Sequence, residues 1–461
     1  MRTSMPCDRG LGLGALLLVL GGCSDAAEPP PSSGPTFHRD VAPLLQNHCL
    51  GCHRPDAIAP MSLTSYAEAR PFAEAIARET SALRMPPWGA RETDECKPPL
   101  GFRADPRLTR SELEMLAAWS AAGAPEGDPA DAPPAYEPPS EALPGVSIDL
   151  TPQTPYEVVP GADQFRCFVL DPQLAEDTYV GGYAVIPGNR EVVHHALVYL
   201  DPHRDSLALV DEDGGYPCFG GVGDVSDATV LGAWAPGAAP FDLPETIAIP
   251  VKANSLLVMQ VHYHPHGVTG GIDTTRLSLR LHPKKPEYLL ENYLIGNAPE
   301  PWPGGDGLLP GPNDAGKVEF RIPANTAGHM ERMRFTLNLP LPDVAIYGAG
   351  AHMHRAGRDM KIELDPADGG PRECLAQTPQ WDFDWQRLYS YDGDIEALPK
   401  LRSGDTVELR CSYDNTPQNG ALMTQLAEEG LSFPIEIGLG ESTLDEMCVA
   451  LLPVLYPNPG F

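Results

Sequence analysis

Positive charge is scarce in this chain. Its 461 residues carry 32 Lys and Arg against 63 Asp and Glu, a formal net charge of −31. No basic stripe is available to neutralise phosphates, so nucleic acid is excluded as a partner. Beyond the first two dozen residues no apolar run is long enough to cross a bilayer. Histidine is also sparse, at 13, so places where it clusters carry information. Proline (52) and glycine (45) are abundant, which implies many turns and loops and points toward β-sandwich architecture.

The N-terminus sets the expected compartment. Arg2 and Arg9 precede a short apolar run, LGLGALLLVL, that fits a signal sequence and is too short for a stable membrane anchor. It ends in Leu20-Gly21-Gly22-Cys23, which resembles the lipobox of bacterial lipoproteins. On this reading residues 1–23 are a lipoprotein signal peptide and Cys23 is lipidated. The protein is then exported to the periplasmic side of the envelope, more in keeping with the outer membrane than the inner, and touches the membrane only through its lipid. Residues 24–35, rich in Pro and Ser, read as a spacer.

Residues 36–127 read as helical. Val41, Leu44, Leu45 and His48 recur at helical spacing. SELEMLAAWSAAGAP opens with a Ser111/Glu114 capping box and closes at Gly123. Residues 128–145 form a second, Pro-rich acidic linker. From 146 the period changes to two: Leu277, Leu279 and Leu281 alternate, as do DMKIEL and DTVELRCSY, and NSLLVMQVHYH reads as a buried strand. The expected fold is therefore multidomain. A small all-α domain precedes two all-β antiparallel sandwiches, jelly-roll-like, over 146–287 and 288–461.

Within the helical segment HCLGCH supplies Cys49, Cys52 and His53. In Cys-x-x-Cys-His the thiols add to the haem vinyl groups and the adjacent His becomes an axial ligand. A redox Cys-x-x-Cys or half a zinc site would not need that His, and no second Cys pair completes a zinc ribbon. The sixth ligand should be a thioether or a second His. Met85, in an extended Pro-rich loop, is preferred; Met61 is too close in sequence to wrap round the ring, and His38 and His48 are outsiders. With its IAPMSL and RMPPW stretches, the segment resembles a class I cytochrome c domain.

The remaining histidines fall in motifs. REVVHHALVYLD contains His194 and His195, MQVHYHPHG contains His262, His264 and His266, and GAHMHRAGRDM contains His352 and His354. STLDEMCVALL adds Met447 beside Cys448. Imidazoles with a thioether suit copper cycling between Cu(I) and Cu(II). Carboxylates are absent from the clusters, which disfavours a two-His-one-carboxylate iron site and a zinc hydrolase.

The order His-His, Gln-x-His-Tyr, His-x-His, Asp-Glu-Met-Cys resembles the copper type II, ascorbate-dependent monooxygenases, the peptidylglycine α-hydroxylating and dopamine β-monooxygenase family. The likeness covers roughly 146–461. It implies two β domains with one copper each across a cleft. His194, His195 and His262 would hold an electron-transfer copper, and His352, His354 and Met447 the copper that activates dioxygen. Gln260 matches a family glutamine, whereas His264 and His266 match nothing and are expected at a surface or strand end. The resemblance also implies disulfides Cys167–Cys218 and Cys411–Cys448. Cys96 and Cys374 remain over, either bridged between domains or free thiols.

Two departures bear on substrate. Where the amidating enzyme has an Arg that grips a carboxylate, this chain has Gly350, and a substrate-proximal Tyr is Leu451. A peptidyl-glycine substrate is thus disfavoured, and no acidic motif residue offers a catecholamine anchor. The expected activity is hydroxylation of a C–H bond of a small organic substrate by dioxygen. Haem c would pass electrons to the electron-transfer copper from a periplasmic redox protein or an ascorbate-like reductant. The alternative is a non-catalytic electron-transfer or copper-holding protein.

Overall fold

The computed structural model describes residues 34–459 except 56, 58, 139, 141, 162, 219–220, 237, 266–269, 339–343, 441 and 443. The lipobox at Cys23 and the expectation for His266 lie outside the described residues. Among the described residues no helix is long and apolar enough to cross a membrane.

The N-terminal segment carries short helices: α1 (Ala42–His48), α2 (Ala73–Ser81) and α3 (Arg110–Ala121). Leu44 and Leu45 of α1, Ile76 of α2 and Leu116 and Trp119 of α3 share one small core with Phe37 and Val41. The cap of α3 differs from the sequence expectation. Thr109, not Ser111, caps it, with Glu112 returning the bond to the Thr109 backbone N–H. Ser111 lies within the helix, so its hydroxyl meets no free N–H of the first turn.

Most of the regular secondary structure is antiparallel sheet. Eight strands position the site: β1 (Gln164–Leu170), β2 (Val193–Asp201), β3 (Leu256–Tyr263), β4 (Tyr288–Gly296), β5 (Gly348–His352), β6 (Leu388–Ser390), β7 (Thr406–Asn415) and β8 (Val449–Pro457). In the first β unit β3 runs between β1 and β2 in a five-stranded sheet, and all eight of its residues are buried. Its continuous apolar run reflects burial on both faces. In the second, β7 is central to another five-stranded sheet, and β5 pairs with β6 and β8. The units share a sheet: β4 pairs antiparallel with β8 and parallel with Ile247–Val251 of the first unit. A buried apolar cluster runs through both.

Residues 88–103, which the sequence assigned to the helical domain, pack instead on the second β unit. The Trp88 ring lies 4.8 Å from Tyr389, and Phe102 stacks on Tyr391 at 5.5 Å. Arg91 N–H donates to the Gln377 carbonyl and Arg103 N–H to that of Ser390. Cys96 forms a disulfide with Cys374, and Trp88, Ala90 and Phe102 belong to the β core. The physical reason is burial: two large aromatics find a cover on β6 that three short helices do not supply.

Candidate metal centres facing one cavity

His194 and His195 are adjacent, so a regular strand would send them to opposite faces. A bulge prevents this. His262 pairs with His195 while Tyr263 pairs with Val193, which leaves His194 as the extra residue. The three imidazoles converge: His194 Nδ1 lies 3.2 Å and His262 Nδ1 3.3 Å from His195 Nδ1. Nitrogens about 3.3 Å apart form the edge of a tetrahedron whose centre is roughly 2.0 Å from each, the metal–imidazole distance. Burial, then the neighbouring His262, pushes His194 down to about 4, and burial lowers His195 and His262 as well. Neutral imidazoles are what a metal requires. The Phe165 ring lies flat on His262, 4.2 Å between centroids.

A carboxylate does reach this cluster, contrary to the sequence reading. Asp163, just before β1, places Oδ2 3.1 Å from His262 Nε2, although not aligned for a straight hydrogen bond. Its other oxygen pairs with His264 Nδ1. Burial would raise this carboxyl, but the two imidazoles hold it well below the usual carboxylate range. Asp163, His262 and His264 thereby form a second convergent set sharing His262 with the first. His264, expected as a bystander, is half-exposed and engaged.

His352 ends β5, and His354 lies past the strand, so the two imidazoles do not share one strand face. The turn exists because buried Glu446 accepts the backbone N–H groups of His354, Ala356 and Gly357 in place of ladder partners. Burial pushes Glu446 up to about 7 against these donors. His352 Nδ1 bonds Gln386 Oε1 at 2.7 Å, and His354 Nδ1 the Asp445 carbonyl at 2.9 Å. With both Nδ1 atoms engaged, Nε2 is the nitrogen a metal would take. Burial, then His352, takes His354 down to about 3. Met447 is buried; its carbonyl accepts the Tyr413 hydroxyl, and its neighbour Cys448 is disulfide-bonded to Cys411 on β7.

A cavity of about 150 Å³ joins the clusters, with His195 and Gln260 in its lining beside His352, His354 and Met447. Gln260 does not project a free amide into it: Nε2 donates to the Cys218 and Gly221 carbonyls, bracing the loop closed by the Cys167–Cys218 disulfide. The donor sets, three nitrogens and two nitrogens with a thioether, fit copper.

In the helical segment Cys49 and Cys52 are unpaired thiols, half-buried. His53 Nδ1 bonds the Met61 carbonyl at 3.2 Å, the arrangement that leaves Nε2 for an iron. Two separate thiols with an oriented imidazole fit covalent haem attachment. The Met61 carbonyl thus serves the His53 side. Met85 is half-buried just before the 88–103 segment, a strap on the second β unit, and lies three residues from Trp88.

Asp163, Phe165, Phe383, Gln386 and Arg387 were missed from the sequence. They contact the histidines or line the cavity from positions that no His motif marks.

No family model matches the chain. Over 290 residues, 58% of its length, it is 24% identical to dopamine beta-hydroxylase from Rattus norvegicus, covering 38% of that protein. Over 282 residues, 59% of its length, it is 21% identical to the DBH-like monooxygenase protein 2 of Homo sapiens, covering 48%. The chain thus matches less than half the length of either relative. Among solved structures the major capsid protein P2 from Bacteriophage PM2 aligns at 10% identity and a TM-score of 0.27, over 68% of this chain and 99% of that one. A likeness that weak carries no argument. The two sequence relatives are distant, and they support a relationship between this chain and the copper monooxygenases.

Proposed function

We propose that the protein is an exported copper monooxygenase that hydroxylates a C–H bond of a small organic molecule with dioxygen. The observation that carries this reading is the cavity with neutral imidazoles of two clusters, and a thioether, in its lining. His194, His195 and His262 would hold one copper, and His352, His354 and Met447 the other. Copper so held supplies dioxygen activation, and haem c on Cys49, Cys52 and His53 supplies single electrons. One oxygen atom enters the C–H bond and the other leaves as water, consuming two electrons and two protons.

The chain's own residues do the rest. Gln386 and the Asp445 carbonyl hold the rings of His352 and His354 in orientation. Apolar walls from Leu197, Val230, Trp234 and Leu451 limit water around the reacting bond. Arg387, in the cavity lining, is among the cations acting on Cys52, and its guanidinium bonds the Pro236 carbonyl. Pro236 follows Trp234, which pairs with Ala196 beside His195. This continuity supports electron transfer from the haem to the first copper, the haem being refilled by a periplasmic redox protein.

The test is dioxygen uptake by the reduced, copper-loaded protein with a panel of small C–H substrates, followed by isotope analysis of the product. Label from ¹⁸O₂ should appear in a hydroxyl group. No uptake with any substrate, together with reversible copper release, would make the protein an electron carrier or copper holder.

A further inference from the structure

Arg387 is the one cationic residue lining the cavity, and no Asp or Glu lines it among the described residues. Its Nε is buried without a hydrogen-bond partner, and Nη2 makes a long contact of 3.4 Å with the Pro236 carbonyl. The side chain as a whole is half-buried, so the cost falls on this one buried N–H, which an arriving anion would satisfy. The backbone fixes its place. Leu388, the next residue, pairs with Gly350 of β5, and the preceding Gln386 holds His352. A Cβ at position 350 would stand 3.0 Å from the Arg387 carbonyl, so glycine lets the two segments approach. The remaining walls are mainly apolar, among them Leu197, Val230, Trp234, Leu294 and Leu451. A cavity of about 150 Å³ is of the size that holds a benzene-sized molecule.

We propose that this cavity selects a small apolar carboxylate, its acid group paired with the Arg387 guanidinium and its hydrocarbon part beside His352, His354 and Met447. The planar fork of arginine matches a carboxylate with two parallel bonds, and the single charge in an apolar lining excludes cationic amines. The assignment deepens the monooxygenase reading and rests on it for the reaction, though not for binding.

The probes are phenylacetate and its uncharged isostere phenylacetamide, titrated calorimetrically into the full chain as purified, both copper-free and copper(II)-loaded. Wild type should bind the acid about tenfold or more tightly than the amide. Arg387→Gln should abolish the preference with melting temperature and copper stoichiometry unchanged, and Arg387→Lys should restore part of it. Leu451→Trp, which fills the cavity while leaving the cation, should weaken both probes. Equal binding of acid and amide by wild type, including the case where a haem carboxylate already occupies Arg387, overturns the proposal; so does an acid preference surviving in Arg387→Gln. Acid preference in a protein that oxygenates neither probe nor any small carboxylate would instead sink the monooxygenase reading and leave Arg387 as an anion site.

Discussion

Arg355 Nη2 lies 3.5 Å from Asp163 Oδ2, and this contact links the two imidazole clusters. Arg355 follows His354 directly, whereas Asp163 touches His262 and His264. Arg355 also reaches Asp384 at 3.6 Å and lies 4.9 Å over the Phe383 ring, itself part of the cavity lining. A carboxylate held against the far nitrogen of a ligating His, as Asp163 Oδ2 is at 3.1 Å from His262 Nε2, favours the ring's metal-binding orientation and raises its basicity. Asp163→Asn should therefore weaken copper at the His194/His195/His262 site by about 10- to 100-fold. The His352/His354/Met447 site should change little. Chelator competition on the two copper equivalents reads this directly, and an unchanged affinity for both refutes it.

Met447 offers the sharpest separation of roles. Its replacement by Ala removes the one soft donor, while Tyr413 still bonds the backbone carbonyl and Cys448 stays bridged to Cys411. Hydroxylation should be abolished, with haem content and the first copper site retained. Full activity in Met447→Ala would remove the thioether from the assignment.

Cysteine chemistry can be checked by counting. Cys96–Cys374, Cys167–Cys218 and Cys411–Cys448 are disulfides, and Cys49 and Cys52 are thiols. In denatured, unreduced protein, Cys7 and Cys23 aside, haem attachment predicts no titratable thiol, and its absence predicts two. In Cys374→Ser the 88–103 strap loses its covalent tie and should become a site of limited proteolysis. Equal protease resistance would mean that the Trp88 and Phe102 contacts suffice.

Asp201 predicts an acid limb in stability. Buried at the end of β2, it accepts the Ser206 hydroxyl and backbone N–H and the N–H groups of His203 and Asp205. Burial alone would raise its carboxyl, but these donors hold it below the ordinary 3.8. A depressed folded value contributes stability that is fully present above pH 3.8 and is lost as pH falls from there through the lower, folded value. Asp201→Asn should lower stability by about 1–3 kcal/mol at neutral pH and flatten the wild-type decline below pH 4. Superimposable denaturation curves at pH 7 would show that the cluster contributes nothing.

The legibility of the sequence followed the range of the interactions. The β character of NSLLVMQVHYH was visible because periodicity is local, whereas the grouping of His194 and His195 with the distant His262 came from the family resemblance. Longer-range features were not visible. The bulge that turns His194 to the same side as His195 depends on the register of β2 against β3, which no local pattern encodes. The Cys96–Cys374 bridge was one of the two alternatives that cysteine counting left open, but the packing of Trp88 and Phe102 on the second β unit could not be seen, because their partners lie far along the chain. Asp163, Gln386 and Arg387 were hidden for the same reason, as polar residues whose meaning comes from what the fold brings beside them. Glu446 was in view within Asp-Glu-Met-Cys, yet its role as acceptor for the 354–357 turn needs the tertiary fold.

The last prediction concerns electron input. The segment carrying Cys49, Cys52 and His53 leads, through α2, into the strap that Trp88, Cys96 and Phe102 fasten to the second β unit. Arg387 lies within electrostatic reach of Cys52 and bonds the Pro236 carbonyl, two residues past the partner of Ala196. Haem on this motif would lie beside the cavity rather than swing freely on a linker, so transfer should be intramolecular and independent of protein concentration. In anaerobic stopped-flow, protein with reduced haem and both coppers as Cu(II) should reoxidise its haem in a single concentration-independent phase. His262→Ala should suppress that phase by emptying the first copper site, and Met447→Ala should leave it in place. The opposite pattern, loss in Met447→Ala and retention in His262→Ala, would move the acceptor to the second site. Haem that stays reduced for minutes in fully Cu(II)-loaded protein would separate the haem from the copper chemistry altogether.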